Sequence, residues 1–134
     1  MRRLGLLATV VLAFLIVVFG GCVTSEPPIG ELVTPSPITQ EEAIEIMAGG
    51  NVVILDVRTP DEFDTGYIPG AVNLPIDELS TTVNYLISDK EQIILIYCRS
   101  GVRSADALRI LINMGYWNAF DFGGILSWTG EIMN

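Results

Sequence analysis

Two short runs, residues 52–57 and 93–97, are almost wholly apolar and rich in β-branched side chains. Neither alternates polar with apolar positions, so each reads as a strand buried on both faces, the mark of parallel pairing. A strand hidden on both sides needs helices on both sides, and the flanking segments supply them. Thr39 with Glu42 three positions on is a capping-box pattern that opens a helix through about Ala48. Ala43, Ile44, Ile46 and Met47 form its apolar stripe, and Gly49-Gly50 stops it. A turn of helix is expected at residues 60–63, a second strand at 71–74, and an amphipathic helix from Ile76 to about Ser88. Residues 104–114 read as a helix with Ala105, Leu108, Leu111 and Ile112 inward, ended by Gly115. A last strand at 119–122 and a closing helix from Ile125 to about Ile132 complete the order. Strands separated by helices pair in parallel through crossovers, so the expectation is a single α/β layer sandwich.

Composition removes whole classes of chemistry. The 134 residues hold no histidine, which excludes Ser-His-Asp and Cys-His catalysis and imidazole-ligated zinc. Two cysteines make neither a cysteine-rich metal site nor a disulfide framework, so no metal and no cofactor are expected. A formal charge of −9 argues against a nucleic-acid partner, because a phosphate backbone demands a basic face. Carboxylates, hydroxyls, arginines and a thiol remain to carry function.

The first 21 residues read as an export segment. Met1-Arg2-Arg3 precedes an uncharged apolar run from residue 4 to 19, and the run ends Phe19-Gly20-Gly21-Cys22. That ending resembles the lipobox of prokaryotic lipoproteins, which implies cleavage before Cys22 and lipid attachment to it. An uncleaved membrane anchor is the alternative, and either way the arginines stay inside and the rest of the chain lies outside the membrane. Residues 22–37, with four prolines among threonines and serines, read as an extended tether. Residues 38–134 form the folded domain. With Cys22 lipidated, Cys98 is the one thiol left, and it has no partner in its own chain.

Tyr97-Cys98-Arg99-Ser100-Gly101-Val102-Arg103-Ser104 joins a buried strand to a helix N-terminus. Ligands of open parallel sheets bind beyond the carboxyl ends of strands. A glycine-containing loop there can aim several amides at one spot, which also receives the positive end of the helix dipole. A thiolate so placed beside arginine titrates well below a free thiol. Cys98 is thus set to ionise at neutral pH without a base. Arg99 and Arg103 make a local positive site in an acidic chain, unless they merely pair with surface carboxylates.

Residues 98–104 resemble the active-site loop of rhodanese-type sulfurtransferases. Three further segments extend the resemblance: Leu55-Asp56-Val57-Arg58-Thr59-Pro60-Asp61-Glu62-Phe63, then Gly66-Tyr67-Ile68-Pro69-Gly70-Ala71-Val72-Asn73-Leu74-Pro75, with Tyr67 in place of the more usual histidine, and Gly123-Gly124-Ile125-Leu126-Ser127-Trp128. Together they cover residues 38–130. The resemblance implies an open five-stranded parallel sheet flanked by helices on both faces. It implies a monomeric sulfurtransferase in which Cys98 carries sulfane sulfur as a persulfide, from a small anionic donor such as thiosulfate to a thiol or cyanide acceptor. Arg103 and the loop Ser100, Gly101, Val102 and Ser104 would bind the donor, with Arg99 steering anions at the rim. Four residues separate Cys98 from Arg103, where phosphatases of this fold carry five, and the shorter loop suits one added sulfur.

The nearby polar residues have more modest readings. Asp56 is expected to cap loop amides or pair with an arginine, and Arg58 to pair with Glu62 across a helical turn. Tyr67 and Trp128 are read as packing residues, and Asp61 and Asp64 as solvated. The rival functions are a non-catalytic module that binds a partner or senses redox state, and a phosphatase or arsenate reductase.

Overall fold

The computed structural model describes residues 37–134; the export segment, Cys22 and most of the tether lie outside the described residues. α1 (Gln40–Ala48) is followed by β1 (Val52–Asp56), the four-residue α2 (Pro60–Phe63), β2 (Ala71–Asn73) and α3 (Ile76–Leu86). Then come β3 (Ile93–Cys98), α4 (Val102–Asn113), β4 (Ala119–Gly124) and a 3-10 turn, Ile125–Ser127. The expected capping box forms at α1: the Thr39 hydroxyl accepts from the Glu42 amide, and the Glu42 carboxylate from the Thr39 amide.

The four strands order as β2-β1-β3-β4, all parallel. The sheet has four strands among the described residues, one fewer than the family resemblance implies. The Ile38 amide donates to the Asp121 carbonyl at the outer edge of β4, at 2.9 Å.

Alternation along the strands divides the core by face. Leu55, Ile94, Ile96 and Cys98 point to the α3 and α4 side, where they meet Leu79, Val83, Leu108 and Leu111. Leu95 and Tyr97 point the other way, to Ala43, Ile68 and Phe122, with Ile46 and Trp128 packed against them. Both faces are covered, which is why the two runs lack a polar alternation.

Two helical expectations need correction. α4 begins two residues earlier than the pattern suggested, and its buried stripe is Ser104, Ala107, Leu108 and Leu111, with Ile112 packed half-buried against the core and Ala105 outside the stripe. The chain after Ile125 makes only three helical residues. Gly130 lies flat against the Trp128 indole, whose N–H donates to the Glu131 carbonyl. Met133 then pairs antiparallel with Tyr67 through two 2.9 Å bonds. Backbone groups engaged in that bridge are extended and cannot continue a helix.

Candidate active site

β3 delivers Cys98 to the carboxyl edge of the sheet, and α4 starts four residues later with Gly101 at its N-cap. Gly101 has φ +99°, in the left-handed region that favours glycine, and this turns the loop back on itself. Its amide then donates to the Cys98 sulfur at 3.0 Å. Ser104, fully buried one turn into the helix, donates its hydroxyl to the carbonyls of Gly101 (3.1 Å) and Gly123 (3.3 Å). Cys98 itself has no exposed surface. Burial pushes its thiol up, but the hydrogen bond from the Gly101 amide and the polar groups of Ser104 and Ser100 beside the sulfur outweigh it, and the net shift is down. The loop therefore favours a thiolate without an imidazole nearby.

The β3–β4 register slips between Ile96 and Cys98, which sets Gly124 opposite Cys98. A Cβ on Gly124 would stand 2.4 Å from the Arg99 carbonyl and 2.7 Å from Ser100 Cα. The loop thus rests directly on this glycine. Gly124→Ala is expected to displace residues 99–101, slow alkylation of Cys98 at neutral pH and lower turnover at least tenfold, while the far-UV circular dichroism stays that of the parent; unaltered alkylation kinetics would show that the loop does not depend on this contact.

Asp56 and Arg58 are both buried and pair at 2.6 Å. Asp56 also accepts from the Arg58 amide, while the Arg58 guanidinium donates onward to the carbonyls of Glu62 (3.1 Å) and Gly66 (2.7 Å). Asp56 is thus fully occupied in structure. The expected Arg58–Glu62 side-chain pair does not form, because Arg58 turns inward to the buried Asp56. The Glu62 carboxylate instead holds Arg103 in a two-pronged pair, both contacts 2.7 Å. It also accepts from the amide and hydroxyl of Thr59 in a second capping box. The Arg103 bonds hold the Glu62 carboxyl at about 2, well below the usual carboxylate range. Arg103 and Cys98 feel each other's charge, yet the hydrogen bond to the sulfur comes from the Gly101 amide.

Arg99 and Val102 are exposed, and Ser100 lies on the loop surface. A cleft of about 250 Å³ opens beside the loop, lined by Arg58, Glu62, Thr65, Gly66, Arg99, Ile125, Leu126 and Ile132. Sequence reasoning named Arg58 and Arg99 for the site but missed Thr65, Gly66, Ile125, Leu126 and Ile132. The Thr59-x-x-Glu62 spacing was a readable capping signal for Glu62, but no local pattern brings Ile132 to Arg99. Tyr67 stacks on Phe63 at 4.2 Å, Trp128 packs on Phe122, and Asp61 and Asp64 are exposed.

The model of the family described as "Rhodanese-like domain" matches residues 39–131, nearly all of the described fold. The chain belongs to the rhodanese-like family. A sulfurtransferase of Allochromatium vinosum is 37% identical over 80 residues, 59% of this chain and 73% of that protein. The thiosulfate sulfurtransferase PspE of Escherichia coli is 32% identical over 71 residues, 53% of this chain and 68% of its own. Among solved structures, the human single-domain sulfurtransferase TSTD1 superposes with a TM-score of 0.61 at 27% identity, covering 68% of this chain and 90% of its own. In this rhodanese-like domain the loop from Cys98 to Ser104 occupies the strand-to-helix junction, and Arg99 of that loop lines the cleft.

Proposed function

We propose that this rhodanese-like domain is a sulfurtransferase that carries sulfane sulfur on Cys98. One observation supports the reading most: a buried thiol at the end of β3 that accepts from the Gly101 amide and whose ionised form is favoured by the polar groups of Ser100, Gly101 and Ser104. The Cys98 thiolate attacks the terminal sulfur of an anionic donor such as thiosulfate. The new S–S bond forms as the donor's S–S bond breaks, and sulfite leaves with the electron pair. An acceptor thiolate or cyanide then attacks the outer sulfur and returns Cys98 as thiolate, a two-step exchange needing no cofactor. Loop amides and the start of α4 supply fixed dipoles toward the charge at sulfur. Arg99, exposed at the cleft, steers anions inward.

Intact mass after thiosulfate treatment tests the reading. A gain of one sulfur atom, reversed by cyanide with release of thiocyanate, is the expected result; no gain with thiosulfate or an organic donor would leave a binding or sensing module instead.

We also propose that the domain works outside the cytoplasm, held to the membrane through Cys22 as a monomer. The basic start, the apolar run and Gly20-Gly21-Cys22 support this. Cys22→Ala is expected to abolish lipid attachment. A parent protein that retains Met1 and carries no lipid would establish the uncleaved anchor.

A further inference from the structure

Arg58 and Arg99 line the cleft and a third arginine, Arg103, is paired to Glu62 in its wall, but their charges are unequally available. Arg58 is neutralised by Asp56 and spends its remaining donors on two carbonyls. Arg103 is neutralised by Glu62. Among the described residues, no carboxylate lies within salt-bridge distance of Arg99. The cleft lining also includes the apolar Ile125, Leu126 and Ile132. The cleft thus offers one uncompensated cation beside a hydrophobic surface.

Glu62 decides this balance, and it is held firmly. Its carboxylate takes two bonds from Arg103 and two from Thr59, and its carbonyl takes one from Arg58. A compact dianion entering the cleft must either make do with Arg99 or compete with Glu62 for Arg103, against a fixed carboxylate that also repels it.

We propose that Glu62 is a specificity-determining positioning residue: by engaging Arg103 it suits the cleft to sulfur compounds with one negative charge and an apolar body, and disfavours compact dianions such as thiosulfate. The inference rests on the sulfurtransferase reading for its substrates but not for its charge balance. Ile125, Leu126 and Ile132 gain from covering an apolar group, whereas thiosulfate leaves them wet.

The test pairs thiosulfate with benzenethiosulfonate, a monoanion with an aromatic body that delivers its terminal sulfur with loss of benzenesulfinate. Glu62→Gln keeps the capping-box acceptor, so α2 is retained. It is expected to raise kcat/KM for thiosulfate about tenfold relative to benzenethiosulfonate, through KM, with the gain vanishing at high salt. Adding Arg103→Gln to Glu62→Gln should remove the gain, since Glu62 acts through Arg103. An unchanged donor ratio in Glu62→Gln, or a gain that survives loss of Arg103, would overturn the proposal. A second measurement needs no turnover: protection of Cys98 from iodoacetamide by sulfate and by benzenesulfonate. The parent should be protected at lower benzenesulfonate than sulfate concentration, and Glu62→Gln should need about tenfold less sulfate. If no donor forms a persulfide, the sulfurtransferase reading fails while the protection data still decide the role of Glu62; equal sulfate protection of the two proteins refutes that role.

Discussion

Cys98→Ser is expected to leave less than about one-thousandth of the parent's sulfur transfer, and no persulfide by intact mass. A serine hydroxyl would still accept from the Gly101 amide, but the dipoles that favour a thiolate cannot ionise an alcohol at neutral pH, and oxygen cannot hold a sulfane sulfur in exchange. The exchange is nearly isosteric, so the melting temperature should shift by no more than about 4–8 °C, the equivalent of roughly 1 kcal/mol in a domain of this size. Turnover comparable to the parent, with a normal melt, would remove Cys98 from the mechanism.

The second large effect is on stability. Arg58→Ala should destabilise the domain by about 3–5 kcal/mol, because it leaves the fully buried Asp56 carboxylate without its counter-charge. It also strips the carbonyls of Gly66 and Glu62 of a donor and loosens the segment that ends in α2. The melting temperature should fall by roughly 12 °C or more. Asp56→Asn combined with Arg58→Ala should recover part of the loss, since no uncompensated charge is then buried. A single Arg58→Ala variant that melts with the parent would mean that water or another cation reaches Asp56.

How far these roles could be read from the chain depends on the range of the interaction. The burial of β1 and β3 on both faces was plain in residues 52–57 and 93–97, because a two-sided environment leaves no alternation. The junction of Cys98 with a helix start was equally local, a strand followed by glycine and an amphipathic stretch. The partner of Glu62 was not. Arg58 four residues away looked like its counter-ion, but burial of Asp56 draws Arg58 inward, and only the fold brings Arg103 across 41 positions to take its place. The closing helix failed for a related reason. Nothing within residues 125–132 reveals that Met133 will find the backbone of Tyr67, and that distant pairing, not local propensity, sets the extended course of the chain there.

The burial of Cys98 bears on which of two outcomes the proposed persulfide would meet. An incoming thiolate facing two linked sulfurs has a choice of target. Attack on the outer one passes the sulfur on; attack on the inner one expels hydrosulfide and strands the protein as a mixed disulfide. In the proposed persulfide Sγ is the inner atom, held beneath the Ser100–Gly101 turn and the helix start, so a bulky nucleophile meets the outer atom first. On the sulfurtransferase reading, burial of the anchoring atom would act as a regiochemical filter: the cargo stays negotiable while the tether to the protein is shielded.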